Sequence, residues 1–230
     1  MKFWRKWHKW LGLALGVQVL LWISGGVVMS VIPLDMVRGN HLVEPRQEIT
    51  AAQPVVTHVD FSQWRAWEWV RRPDLLALQA TDFQGHHHFL DPVTGHKLSM
   101  INAGQAKGRA QTRYLGQGNA INAKLLSQLP DEVRGRQGPL YRVDFDDWIN
   151  TSFYLHPYSA EIISVRSDLW RVFDFFWMLH ILDFENRTDF NNPLLISLAI
   201  AAWLFTLSGF IMLYHSLLKP NWRKLRYRVR

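Results

Sequence analysis

The sequence predicts an α-helical membrane protein in which two transmembrane helices and an interfacial amphipathic helix carry a small extracytoplasmic α+β module. One observation is that residues 10–34 and 193–218 contain no Asp, Glu, Lys or Arg. Each run exceeds the roughly 20 apolar residues that an α-helix needs to cross a bilayer. A second is the dense positive charge beyond both runs, and a third is a polar middle patterned as strands and turns. The chain averages of 48% hydrophobic and 20% charged residues over 230 residues conceal this segregation.

Residues 1–9 form a basic N-terminus, with Lys2, Arg5, Lys6 and Lys9 ahead of the first span, residues 10–34. A cleaved signal peptide is the competing reading of this span. The run is longer than the usual apolar region of about 7 to 15 residues and lacks a clear small-x-small cleavage site. Residues 193–218 form the second span, and residues 219–230 a basic tail containing Lys219, Arg223, Lys224, Arg226, Arg228 and Arg230. Positive charge stays inside, so both termini are expected in the cytoplasm and the middle outside. Trp4, Trp7, Trp10 and Trp222 suit the aromatic belt at the inner interface. The net charge of +7 is therefore largely a topology signal facing the lipid bilayer, and no nucleic acid is implied as partner.

Residues 35–166 are expected to form the α+β module, large enough for a modest core. Two segments within it repeat, 89–99 (FLDPVTGHKLS) and 154–164 (YLHPYSAEIIS). Each reads as strand, tight turn, strand, because Pro fixes the turn and Gly or Ala follows it. Helices are expected at 61–70 and 119–129, the second from Ile121, Leu125 and Leu129 at a spacing of four. Residues 102–118 read as a mobile loop, and residues 38–54 as the linker from the membrane. Residues 167–192 combine an amphipathic helix with a turn: Leu169, Val172, Phe173, Phe176, Trp177 and His180 share one face, while Asp168, Arg171 and Asp174 fall away. At about 16 residues that helix is too short to span, so it is expected to lie on the outer membrane surface.

With no cysteine, disulfides and thiolate-ligated metal sites are excluded, and the ten histidines become the main candidate ligands. His8 sits at the cytoplasmic mouth of the first helix and His215 in the last turns of the second; opposite helix directions bring both to one leaflet. Two imidazoles on facing helices suit an axial pair on haem iron, each with its second nitrogen held by a partner. Gly12 and Gly16 follow His8 on its own face, leaving room for a flat macrocycle or for close helix packing. His8 also reads as an interfacial cation among lysines, whereas an intramembrane histidine such as His215 is expensive and usually functional. His180 reaches the outer interface, either as a second ligand or as an interfacial residue ending its helix. Inner and outer histidines together would provide two relay points across a core of about 30 Å. Of His86, His87 and His88, only the first and third share a strand face, and the run reads as an exposed strand end near Asp82 and Asp91. His156 stands where the first repeat has Asp91 and reads as a turn residue. No Gly-rich nucleotide loop or hydrolase signature occurs, so no flavin or NAD site is visible and no catalytic residue is assigned.

Six segments, RKWHKWLGLALG with ISGGVV, the DPVTG hairpin, LHPYSAEIIS, MLHILDF and LFTLSGFIMLYHS, together resemble the PepSY-associated transmembrane family over nearly the whole chain. The resemblance implies a bacterial inner-membrane protein with a periplasmic PepSY-like module and haem b. It places His8 at the family's first-helix histidine, His180 at its Leu-His and Ser208-Gly209 at its Ser/Thr-Gly. Some members reduce ferric siderophores. Larger relatives have four spans, and a homodimer of this two-span chain would restore that number. A quinol or flavoprotein would then donate electrons. The alternative expectation is non-enzymatic: a membrane-anchored PepSY module that inhibits another protein or helps to assemble it.

Overall fold

A computed structural model of the chain describes residues 2–45 and 56–218. The basic tail with Trp222, and linker residues 46–54, lie outside the described residues. The chain divides into two compact units, Met1–Ile32 with Phe173–Arg230, and Pro33–Val172.

The first unit is built on two long apolar helices, α1 (Lys2–Val31) and α5 (Pro193–Leu213). Both are long and apolar enough to cross a membrane, with mean hydropathy 2.0 and 2.2 in the most apolar 18-residue windows of residues 3–31 and 193–216. Only 11% and 6% of their most apolar windows are buried, unlike the core helix of a soluble protein. α1 stops just before Pro33, since the residue preceding proline is driven out of helical geometry. α5 starts on Pro193, whose missing N–H costs nothing at a first helical position, and Asn192 caps it by accepting from Leu195 N–H at 2.8 Å. A π-helical turn, Tyr214–Leu218, follows and carries His215. α1 starts well before residue 10, so His8 lies within the helix rather than at its threshold.

Between these helices comes α4 (Asp168–Ile181), which runs across the boundary of the two units. Its first-unit part packs on α1: the Cβ of a residue at Gly25 would lie 3.6 Å from Phe176 O and 3.9 Å from His180 Nδ1. The charges expected to point away are all paired, Asp174 with Arg187 and Arg171 with both Asp168 and Glu132. Asp183 then nucleates the turn toward α5. Its carboxylate accepts from the backbone N–H groups of Glu185, Asn186, Thr188 and Asp189, which pull its pKa down to about 2.

The second unit is α+β, with two antiparallel sheets. One has the order β1 (Ala66–Arg71), β2 (Leu76–Thr81), β3 (His87–Leu90). The other runs β4 (Ala120–Leu126), β5 (Leu140–Phe145), β6 (Ser152–Leu155), β7 (Ile162–Arg166). β6 is buried along its whole length, and Phe153, Tyr154 and Leu155 have no exposed surface. Helix α3 (Ala103–Arg113) covers β4 and β5 with Ala106 and Ala110, both fully buried. A four-residue helix, α2 (Leu34–Val37), opens the unit.

Three sequence expectations are corrected by this fold. Residues 61–70 form a 3-10 turn, Phe61–Gln63, and then β1, because a Trp- and Val-rich segment fits the pleated surface offered by β2. Residues 119–129 are mostly β4, not helix; a spacing of four places Ile121 and Leu125 on one face of a strand as readily as of a helix. Residues 102–118 hold α3 instead of a mobile loop. Its start is a capping box, with Asn102 accepting from Gln105 N–H at 2.8 Å and Gln105 accepting from Asn102 N–H at 2.9 Å.

The repeated hairpins do share one geometry. Asp91 Oδ1 accepts from Val93 and Thr94 N–H, and Gly95 N–H closes on Asp91 O at a φ of 72°. In the second copy His156 Nδ1 accepts from Tyr158 and Ser159 N–H, and Ala160 N–H closes on His156 O at a φ of 54°. A neutral imidazole thus takes the place of a carboxylate. Only the second copy continues into a full strand; the first ends in the single bridge Leu90–Lys97.

Candidate functional site

Helices α1 and α5 pack antiparallel, which brings widely separated residues together. Gly12 meets Phe205: an added Cβ would lie 3.0 Å from the ring. One turn earlier, His8 lies flat on Phe205, with ring centroids 4.3 Å apart and planes 12° from parallel. Its Nδ1 is 2.7 Å from Ser208 Oγ, and a Cβ on Gly209 would come within 3.2 Å of its Cε1. His8 is therefore half-buried in a slot made by Phe205, Ser208 and Gly209, whereas Arg5, Lys6 and Lys9 are exposed.

The tautomer that a neutral His8 ring adopts follows from those distances. Ser208 Oγ lies 2.7 Å from Phe205 O as well, and a hydroxyl has one hydrogen to give. Giving it to His8 would leave two oxygens facing each other at 2.7 Å with no proton between them. The hydroxyl therefore donates to the Phe205 carbonyl and accepts from His8 Nδ1–H. When neutral, the ring therefore carries its proton on Nδ1 and presents the Nε2 lone pair, the arrangement that a partner on the second nitrogen gives metal-bound histidines.

His8 and His215 line the same pocket, of about 320 Å³, together with Trp4, Arg5, Gly209 and Met212. The expectation that the two histidines meet at one end of the helix pair therefore agrees with the geometry. Gly12 and Gly16 differ in role. Gly12 is a packing residue closed by Phe205, while nothing lies within 4 Å of a Cβ at Gly16, so open space flanks the helix there.

His180, on α4, packs against a different part of α1, beside Trp22 and Gly25. From residue 8 to residue 25 the helix rises about 25 Å at roughly 1.5 Å per residue. His180 Nδ1, Trp22 Nε1 and Gln18 Nε2 are buried there without hydrogen-bond partners among the described residues. Such orphaned groups are uncommon in folded proteins and mark where a ligand atom or water would be satisfied.

These residues fit imidazole ligation of haem iron to different degrees. His8 has one nitrogen held and the other free. His215 shares its pocket. His180 has a free Nδ1, but no described residue holds its second nitrogen. Among the described residues no group of three or more His, Cys, Asp or Glu is placed to hold a metal ion. The His86–His88 run instead organises a turn: His86 Nδ1 and His88 Nε2 both reach Asp82 Oδ2, at 3.3 and 3.0 Å, and His88 above all holds that carboxyl well below its ordinary range.

The sequence pattern did not reveal Phe205, or what Ser208 does for His8. The antiparallel register that joins them is visible only once α1 and α5 are packed. No family model, curated protein or solved structure matches the chain.

Proposed function

We propose that this chain is a b-type haem protein of the bacterial inner membrane, with cytoplasmic termini and residues 35–166 in the periplasm. It passes electrons across the bilayer to ferric iron or a ferric siderophore. The observation that carries this reading is His8: an intrahelical imidazole whose Nδ1–H is tied to Ser208, whose Nε2 is bare, and whose pocket also holds His215. The sequence resemblance to the PepSY-associated transmembrane family supports the same reading.

Haem iron bound at these imidazoles would supply one-electron transfer, with its potential set by ligand identity and burial. The chain's own part is positional. Phe205 fixes the plane of the His8 ring, Ser208 fixes its tautomer, and Gly209 leaves room for it. His180, about 25 Å further along α1, would hold a second relay near the outer face. A pocket of about 320 Å³ is at the low end for a cofactor site. The homodimer expected from two spans per chain would provide the remaining wall, and quinol or a flavoprotein would be the external donor. A monomer in detergent with full haem occupancy, measured by light scattering, would rule the dimer out.

The direct packing of Phe205 on Gly12 favours a second reading, in which the helix pair only tethers a PepSY-like module that inhibits or assembles another protein. A reduced-minus-oxidised absorption spectrum of the full chain, purified after expression with ample haem, separates the two. Soret and α bands that weaken in His8→Ala are expected. Their absence from the wild type would leave the tether reading.

A further inference from the structure

The Pro33–Val172 unit contains a cavity of about 570 Å³ that none of the histidine sites uses. Four arginines line it against two glutamates. Arg109 and Arg113, four residues apart on α3, face Arg71 at the end of β1. Arg113 is held by Glu44, through the backbone carbonyl, which accepts from its terminal N–H, and through the carboxylate, 3.7 Å from Nε; that buried Nε makes no hydrogen bond among the described residues.

Four arginines against two glutamates leave the lining of the cavity net positive. Burial lowers the pKa of Arg109, and the neighbouring charges of Arg113 and then Arg71 lower it further; the opposing effects of Glu44 and Glu161 are smaller. Arg109, Arg113 and Arg71 thus repel one another at this cavity, with Glu44 and Glu161 opposing that repulsion, and an added anion would relieve it further. Ser164 on β7 adds an independent sign: it lines the same cavity, is 7% exposed, and its hydroxyl has no hydrogen-bond partner among the described residues.

We infer that this cavity binds a multivalent oxyanion, with phosphate- or carboxylate-type oxygens, between the guanidinium groups of Arg71, Arg109 and Arg113. Planar guanidinium forks match such oxygens with paired, charge-assisted hydrogen bonds, which suits them better than a lysine cluster would. The site is independent of haem, and nothing in it depends on the helix pair.

The test is calorimetric titration of the full chain in detergent micelles with inorganic pyrophosphate, and separately with citrate, at constant ionic strength. Saturable binding of at least one is expected. Arg109→Gln should weaken it about tenfold or more, the loss expected for one charged hydrogen-bonding group. Arg71→Gln, an exposed position that leaves the helix intact, should weaken it in the same direction and guards against an Arg109 variant that misfolds by circular dichroism. No saturable binding of either anion, or equal binding by wild type and both folded variants, would overturn the inference. Displacement of pyrophosphate by phosphatidylglycerol in mixed micelles would support the oxyanion chemistry and name a lipid headgroup as its source. Unaltered pyrophosphate binding under the same conditions would support a soluble anion.

Discussion

The tautomer of His8 is set by a hydroxyl 200 residues away in sequence. Ser208→Ala removes the acceptor for Nδ1–H while preserving the size of the slot, so the ring can turn or exchange tautomers. Loss of such a partner typically weakens metal binding by about 10- to 100-fold, so this variant should retain less haem than wild type and more than His8→Ala. Titrating haem into purified apoprotein and following the Soret band measures it; equal affinity of Ser208→Ala and wild type would remove Ser208 from the site. His156 shows the same dependence on protonation in the other unit. Burial, helped by the charge of His87, lowers its pKa below 6.5, and its Nδ1 already accepts two backbone N–H groups. Protonating that nitrogen would set three donors against one another. Below pH 6.5 the unfolded chain takes up the proton first, so the stability that neutral His156 contributes is present above pH 6.5 and declines as the pH falls toward the folded value. His156→Asp, copying Asp91, should flatten the fall in melting temperature between about pH 7.5 and 5.5; an unchanged slope would show that another group causes it.

Among the elements, α3 depends most visibly on a single residue. Its sequence, AGQAKGRAQTR, contains two glycines and buries only small alanines, so the capping box at Asn102 and Gln105 is needed to start it. Asn102→Ala should destabilise the chain by about 1 kcal/mol, read as a lower urea midpoint with unchanged slope. That capping box was legible as Asn-x-x-Gln, yet the glycines and polar residues outweighed it and the segment read as a loop. Reading it as a loop also hid the arginine cavity, since Arg109 and Arg113 share a face only on a helix. The two long helices were readable from composition alone, because a water-soluble fold seldom contains a bilayer-length run of uncharged residues. The strands β1 and β4 were not: an aromatic segment and a spacing of four are both ambiguous between strand and helix, and pairing with buried neighbours decided them.

For the molecule as a whole, the core and the long helices are separable. The buried residues Phe145, Phe153, Leu155, Val143 and Tyr141 belong to one cluster within Pro33–Val172, and Leu78, Ala80 and Leu90 form a second around the smaller sheet. The apolar surface of α1 and α5 is left almost entirely outside any core. A segment of about 140 residues is large enough to offset the entropy of folding with a core of this kind. Residues 33–172 expressed alone should therefore fold as a water-soluble domain with a cooperative thermal transition. Within it, Phe153→Ala should cost about 3 to 5 kcal/mol, since an aromatic ring would be deleted from a fully buried strand. The same substitution should lower the stability of this unit by a similar amount in the full chain, if the helices contribute nothing to its packing. A fragment without dispersed amide resonances, or one in which Phe153→Ala has no effect, would instead mean that the long helices complete the core.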